Sequence, residues 1–366
     1  MIYRNFGKTG IKISSLGFGA MRLPDNDDKA TEVIRSAIDK GVNYVDTAYV
    51  YGESERRVGL ALQNGYRNKV YISTKNPLSS NSVNDWKKRM EESLTRMQTD
   101  HIDFYNIIHA MNYDSYENFL IKEKALDVIM KYKEEGIIKH ITFSTHDKPE
   151  GVIKSIDTGI FEGVTIQYNL LNRDYEDAIA YAHEKGLGTV IMGPVGGGIL
   201  GTAESEFTNK LGEAFSSTPE LAIRFILANP NVTCALSGMG NLDMVNENVK
   251  TASNAKPLNN EEMEKIEKVC QELKEACNLY CTGCRYCMPC PNNVDIPACF
   301  SSFNTYKVYG ALNVAKRQYG WISADNGNGK KDNSGAMCIE CGECMPKCPQ
   351  KIDIISQLKE VEATLK

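Results

Sequence analysis

The strongest constraint on how this chain can fold is a rhythm in its first 255 residues, where eight short apolar runs alternate with longer amphipathic stretches. The runs are SLGFGAM (15–21), VNYV (42–45), VYIST (70–74), IDFYNII (102–108), IIKHITF (137–143), GVTIQ (163–167), LGTVIM (187–192) and VTCAL (232–236). Between them, segments such as DDKATEVIRSAIDKG (27–41) and SVNDWKKRMEESLTRM (82–97) read as helices. Continuous apolar strands separated by helices belong to a parallel sheet covered by those helices. Eight such units in about 240 residues match the count and length of a (β/α)8 barrel. An open doubly wound sheet is the competing architecture, but it lacks its Gly-rich G-x-G-x-x-G turn after the first run.

The rest of the chain has a different character. NNEEMEKIEKVCQELKEA (259–276) is helix-like and closes the regular region. Of twelve cysteines, only Cys234 lies in the first 255 residues; the other eleven fall between Cys270 and Cys348. The expected division is therefore a barrel over 1–255, then a linking helix and a cysteine-rich domain over 256–366. That second domain is expected to be small and mainly α-helical, with CFSSFNTYKVYGALNVAKRQY (299–319) as one helix-like stretch. ISADNGNGKKDNSG (322–335) reads as an exposed loop. The net charge of −5 disfavours nucleic acid and anionic membrane surfaces as partners. No apolar stretch approaches a membrane span, and MIYRNFGKTGIKIS lacks the apolar run of a signal peptide. A cytoplasmic location is expected, where clustered cysteines read as metal ligands and not as a disulfide framework.

CIECGECMPKCP (338–349) places Cys338, Cys341, Cys344 and Cys348 as C-x2-C-x2-C-x3-C-P, the run that holds an iron–sulfur cluster in bacterial ferredoxins. CTGCRYCMPCP (281–291) places Cys281, Cys284, Cys287 and Cys290 in the same way, with one residue missing before the last cysteine. The two runs continue alike, CPNNVDI against CPQKIDI, so they form an internal repeat. Two [4Fe–4S] clusters are expected. In two-cluster ferredoxins the fourth cysteine of each run serves the other cluster. The expected sets are then Cys281, Cys284, Cys287 and Cys348, and Cys338, Cys341, Cys344 and Cys290. Zinc is the competing occupant of paired cysteines.

In a barrel, catalytic groups stand at the C-terminal ends of strands. Those ends carry Asp46, Lys75 and His109, with Tyr51 five residues past Asp46 in DTAYVYG. A tyrosine with its ordinary pKa near 10 is a poor acid at neutral pH. A neighbouring Lys ammonium favours the phenolate, and an Asp carboxylate holds that Lys in place. A histidine beside them can donate to a substrate oxygen. Such a set suits protonating a carbonyl oxygen while hydride arrives at carbon.

VDTAYVYGESE, ISTK and YNIIHA resemble the aldo-keto reductase family, in the family's order and at similar spacing over residues 1 to 255. The resemblance implies an NAD(P)H-dependent oxidoreductase acting on a small-molecule aldehyde, ketone or alcohol. It makes Tyr51 the general acid, Lys75 the depressor of its pKa, Asp46 the partner of Lys75, and His109 the group that orients the carbonyl. It places Ser144 and Gln167 at the nicotinamide carboxamide and Met192 where many members have a stacking aromatic. It places Gly193, Pro194 and Gly196, in GPVGGGIL, in the loop over the pyrophosphate. Asn241, Glu247 and Asn248 fit the adenosine end, and Gly19, Met21, Asp46 and Gly238 join the cofactor lining. Many members carry Lys or Arg for the 2′-phosphate of NADP in the stretch here written SGMGNLDMVNENV (237–249), which has neither. NADH is therefore expected ahead of NADPH.

Hydride carries two electrons and a cluster passes one, so joining the halves takes a converter that no motif here supplies. The tail is expected to serve electron transfer with a protein partner. The alternative is a weakly catalytic or non-catalytic electron-carrying subunit, whose tail senses oxidants or docks a partner.

Overall fold

The computed structural model describes the chain except residues 79, 81, 202–209, 212–214, 256, 279–280, 282–284, 324–331 and 349–350, and the side chains of 274–278. It divides into two compact units, Met1–Val195 with Glu220–Leu258, and Gly196–Pro219 with Asn259–Lys366.

In the first unit the eight apolar runs form the eight parallel strands of a closed barrel. They are β3 (Leu16–Gly19), β4 (Tyr44–Asp46), β5 (Tyr71–Lys75), β6 (Ile102–Asn106), β7 (Ile138–Ser144), β8 (Gly163–Gln167), β9 (Gly188–Met192) and β10 (Cys234–Ser237). Each pairs with its neighbours in chain order, and β10 closes the ring by pairing with β3. The (β/α)8 barrel expected from the rhythm is the fold.

Helices follow the strands where local chemistry starts and stops them. In α1 (Asp27–Asp39), Asn26 Oδ1 accepts the Lys29 N–H at 3.0 Å, and Asp27 and Asp28 suit the positive end of the dipole. Ala30, Val33, Ile34, Ala37 and Ile38 form its buried stripe. Next come α2 (Ser54–Ala61) and α3 (Val83–Met97), the latter capped by Ser82 and ended by Gln98 in the left-handed conformation. The barrel's remaining longer helices are α4 (Ala125–Glu134), α5 (Pro149–Asp157), α6 (Glu176–Lys185), α7 (Thr218–Ala228) and α8 (Leu242–Ser253).

A feature without a sequence signal closes one end. β1 (Tyr3–Asn5) and β2 (Lys12–Ser14) form an antiparallel hairpin. Its turn sends Phe6 into a cluster with Tyr44, Phe104 and Val190. A Cβ built on Gly163 or Gly188 would meet the Phe6 ring at 2.4 Å, so both strands need glycine to admit it. Tyr44, Gly163 and Gly188 open their strands, so Phe6 fills the N-terminal end of the barrel and the opposite end is left for chemistry.

The second unit holds α9 (Asn260–Asn278), α10 (Ile296–Tyr309), α11 (Leu312–Ile322) and α12 (Ile354–Leu365). The stretch read as one helix over 299–319 is two. Gly310, with φ 69°, ends α10 and turns the chain into α11. Most of 322–335 lies outside the described residues, but Ser334 and Gly335 at its end are buried. The unit's core joins Val294, Ile296, Phe300, Phe303, Tyr319, Ile354, Leu358 and Val361.

Candidate active site

Asp46 and Lys75 end adjacent parallel strands, β4 and β5, so their side chains emerge together at the C-terminal rim. Both are almost fully buried, and Lys75 Nζ donates to Asp46 Oδ1 and, at 2.7 Å, to the Thr47 carbonyl. Ser73 Oγ donates to Asp46 Oδ2 at 2.9 Å, and Asn106 Nδ2 donates to Ser73 Oγ at 3.1 Å. Lys75 is thus the inner end of a polar chain, Asn106–Ser73–Asp46–Lys75, drawn from three strands. The sequence reading missed Ser73 and Asn106. Ser73 had a signal, since it lies two residues before Lys75 and strand side chains repeat with period two.

Tyr51 lies in the turn between β4 and α2, half-buried, with Lys75 Nζ 5.2 Å from its ring centre. Burial raises the Tyr51 phenol above its ordinary pKa; Lys75 pulls it down and Asp46 pushes it up. Here the structure departs from the simple expectation of a depressed pKa. Desolvation outweighs Lys75 in the free protein, so the phenol keeps its proton.

The His109 ring meets the Tyr51 ring edge to face, with centres 6.0 Å apart. Its backbone N–H donates to the Asn76 carbonyl at 2.7 Å. Burial first, then Lys75 and His146, lower the imidazole pKa to about 4. This sets a sign. His109 stays neutral in the folded chain, whereas its unfolded counterpart protonates near 6.5. Its contribution to stability is present above that value and is lost as pH falls through about 4. An NMR titration of the His109 ring is expected to give a midpoint near 4; a midpoint of 6 or above would remove the buried, neutral histidine.

The other strand ends complete the rim. Gly19 ends β3, Ser144 ends β7, Gln167 ends β8 and Met192 ends β9. Ser144 Oγ accepts the Ala110 N–H at 3.1 Å, tying the His109 loop to β7. Gly193 follows Met192 with φ 65°; a Cβ on it would lie 3.8 Å from Gln167 Cγ, and its carbonyl accepts Asn169 Nδ2 at 3.0 Å. Pro194 comes next, while Gly196 belongs to the second unit, in the turn Gly196–Gly201. Gly238 follows β10, and a Cβ on it would meet only the Gly19 carbonyl oxygen, at 3.8 Å. Met21 is exposed.

Asn241 and Asn248 each commit a side-chain group inside the fold. Asn241 Oδ1 caps α8 by accepting the Met244 N–H at 2.9 Å, and Asn248 Nδ2 donates to Ser237 Oγ at 2.9 Å. Glu247 is exposed on the same helix.

In the second unit Cys290, Cys338, Cys341 and Cys344 line one pocket with Cys287, closed by Val294, Ile296, Ile339 and Leu358. Burial raises the Cys344 thiol, and neighbouring Cys338, Cys341 and Cys290 add to it. Cys281 and Cys348 pack against the unit's core; Cys284 lies outside the described residues. The internal repeat is visible in the backbone. Arg285 (φ 62°) and Gly342 (φ 77°) match in place, as do Asn293 (φ 60°) and Lys351 (φ 53°). Asp295 and Asp353 then cap α10 and α12, accepting the N–H of Ala298 at 3.2 Å and of Ser356 at 3.1 Å.

Comparison with known proteins agrees with both halves. Residues 280–352 match the 4Fe-4S dicluster domain. The oxidoreductase YqkF of Bacillus subtilis is 26% identical over 302 residues, 72% of this chain and 95% of that protein. L-Galactose dehydrogenase of Arabidopsis thaliana is 26% identical over 311 residues, 74% of this chain and 95% of its own length. The holo form of an aldo-keto reductase from Bacillus halodurans superposes with a TM-score of 0.64 at 27% identity, covering 74% of this chain and 96% of that one. Residues 15–271 match the model of the aldo/keto reductase family, and the chain belongs to that family.

Proposed function

We propose that the barrel moves hydride between a nicotinamide nucleotide and an aldehyde or ketone, with Tyr51 as the proton donor. The observation that carries this is the buried Lys75–Asp46 pair beside the Tyr51 ring, with neutral His109 against the same ring. When bound, the nucleotide supplies the hydride. Tyr51 gives its proton to the carbonyl oxygen as negative charge develops there. Lys75 stabilises the phenolate left behind, and Asp46 balances Lys75 in a site where an unpaired charge would be costly. His109, being neutral, offers one ring N–H to the same oxygen without adding charge.

The rim suits the nucleotide. Ser144 and Gln167 would hold the carboxamide, since a hydroxyl can donate while it accepts from Ala110. Met192 would pack on the ring. Gly193, Pro194 and Gly196 would serve the pyrophosphate, and Gly19 and Gly238 allow backbone approach where no side chain intrudes. Asn241, Glu247 and Asn248 would serve the adenosine end, with Met21 and Asp46 completing the lining. NADH is assigned over NADPH, because 237–249 has no Lys or Arg for a 2′-phosphate and exposes Glu247 instead.

For the tail we assign two [4Fe–4S] clusters, held by the two crossed cysteine sets. Five cysteines line one void, one more than a tetrahedral zinc takes, and the C-x2-C-x2-C-x3-C-P run is the ferredoxin pattern. The repeated backbone of the two runs supports two equivalent sites. Electron exchange with a protein partner, in the cytoplasm, is the role we give them.

The test is Asp46→Asn, which keeps the shape of the site and removes the carboxylate charge. Anaerobic reduction of 4-nitrobenzaldehyde at saturating NADH is expected to fall about 10- to 100-fold. An unchanged rate would remove the pair from the mechanism.

A further inference from the structure

Tyr51 sits in a turn, and the residues on either side of it are tied to one side chain on α3. Arg96 Nη1 donates to the Tyr49 carbonyl at 3.4 Å and to Glu55 Oε2, on α2, at 3.3 Å. Its guanidinium lies over the Tyr49 ring, 4.2 Å from the centre. Arg96 Nη2 is 3.6 Å from Glu92 Oε2, the same oxygen that accepts the Tyr49 hydroxyl. Tyr49 and Glu55 bracket Tyr51 in the chain, and Arg96 holds both.

The same bracket is fixed to β5, the strand that carries Lys75. The Tyr49 N–H donates to the Lys75 carbonyl at 3.1 Å, and Thr74 Oγ1 donates to Glu55 Oε1 at 2.7 Å. Glu55 is fully buried, where a carboxylate is costly unless its oxygens are bonded. A Cβ on Gly59 of α2 would lie 2.6 Å from the Arg96 carbonyl oxygen, so glycine there lets α3 press against α2 at the level of Arg96. One buried carboxylate and one guanidinium therefore join α2, α3 and β5 around the Tyr51 turn. Proton donation needs that precision, since misplacing a reacting group by about 1 Å costs on the order of 10²-fold in rate.

We infer that Arg96, paired with Glu55, is a positioning residue for the proton donor: it braces the turn so that the Tyr51 hydroxyl stays beside Lys75 and the substrate carbonyl. Arg96 acts through Tyr51 alone. Its loss slows proton donation and leaves nucleotide binding at the other strand ends as it was.

This role rests on Tyr51 being the proton donor, and the experiment separates the two. Full-length wild type, Arg96→Ala, Tyr51→Phe and the double variant are purified anaerobically and loaded with NADH. Each is mixed with excess 4-nitrobenzaldehyde, so that a single turnover reads the chemical step through the alcohol formed. Arg96→Ala is expected to slow that step about tenfold, with NADH affinity within about twofold of wild type. In the Tyr51→Phe background the same change should cost less than about twofold, because no hydroxyl is left to misplace. A rate unchanged by Arg96→Ala overturns the inference and leaves the proposed function standing. An equal loss in both backgrounds also overturns it, being the mark of a general structural effect. Tyr51→Phe reacting like wild type overturns the proposed function, and the role of Arg96 with it. Where Arg96→Ala does not fold, Arg96→Ala with Glu55→Gln takes its place, which leaves no buried charge unpaired. Where Tyr51→Phe is too slow to follow, the His109 ring decides by NMR. Its edge contact with Tyr51 gives a ring-current shift that Arg96→Ala should change, and an unchanged shift refutes the brace.

Discussion

Replacing Tyr51 with Phe is expected to lower NADH-dependent aldehyde reduction about 10²- to 10⁴-fold while NADH binding stays within about twofold, the range a general acid supplies. The ring stays in the variant, so its edge contact with His109 and its place near Lys75 persist. Only the proton is lost. Tyr49, the other phenol in the turn, cannot replace it, because its hydroxyl donates to Glu92. Its pKa is raised by that bond. Steady-state rates and a fluorescence titration check both halves. A rate within tenfold of wild type would hand the proton to another group.

The second large effect concerns the clusters. Wild type purified without oxygen should carry about eight irons and eight sulfides per chain, the content of two [4Fe–4S] clusters. Cys341→Ser should retain about four, because it removes a ligand from one set and leaves Cys281, Cys284, Cys287 and Cys348 complete. Cys341 is the exposed member of the pocket, so the change to Ser disturbs little packing. Elemental analysis with electron paramagnetic resonance reads the outcome. Four irons in the wild type would mean one cluster, and zinc in place of iron would end the electron-transfer role. Aldehyde reduction should persist in Cys341→Ser.

Much of this was legible in the residues, for identifiable reasons. Strands of a parallel barrel are buried almost throughout, so GVTIQ and GTVIM show as nearly continuous apolar runs. The hairpin that closes the other end did not show, because YRN and KIS are three residues each with mixed exposure. Asp46, Tyr51, Lys75 and His109 stood out through strand-end position and motif. Asn106 did not, since an asparagine in a strand carries no signal until its partner is known, and Ser73 had only its period-two place before Lys75. At α8 two roles overlap: Asn241 and Asn248 fit an adenosine pattern, and the same residues cap the helix and brace Ser237. Gly310 is a local stop, a glycine in the left-handed conformation, and the reading of 299–319 as one helix passed over it. The grouping of Gly196–Pro219 with Asn259–Lys366 is long-range, with hydrogen bonds that span 62 and 120 residues.

Isotope transfer tests the central claim most directly. Wild type is given NADH carrying deuterium at the transferable C4 position, with 4-nitrobenzaldehyde, under anaerobic conditions, and the alcohol is weighed by mass spectrometry. Direct hydride transfer in the barrel predicts one deuterium on the alcohol carbon, and loss of that product in Tyr51→Phe. Alcohol formed without deuterium would mean that electrons reach the substrate one at a time with solvent protons, and would contradict hydride chemistry at the Tyr51 site.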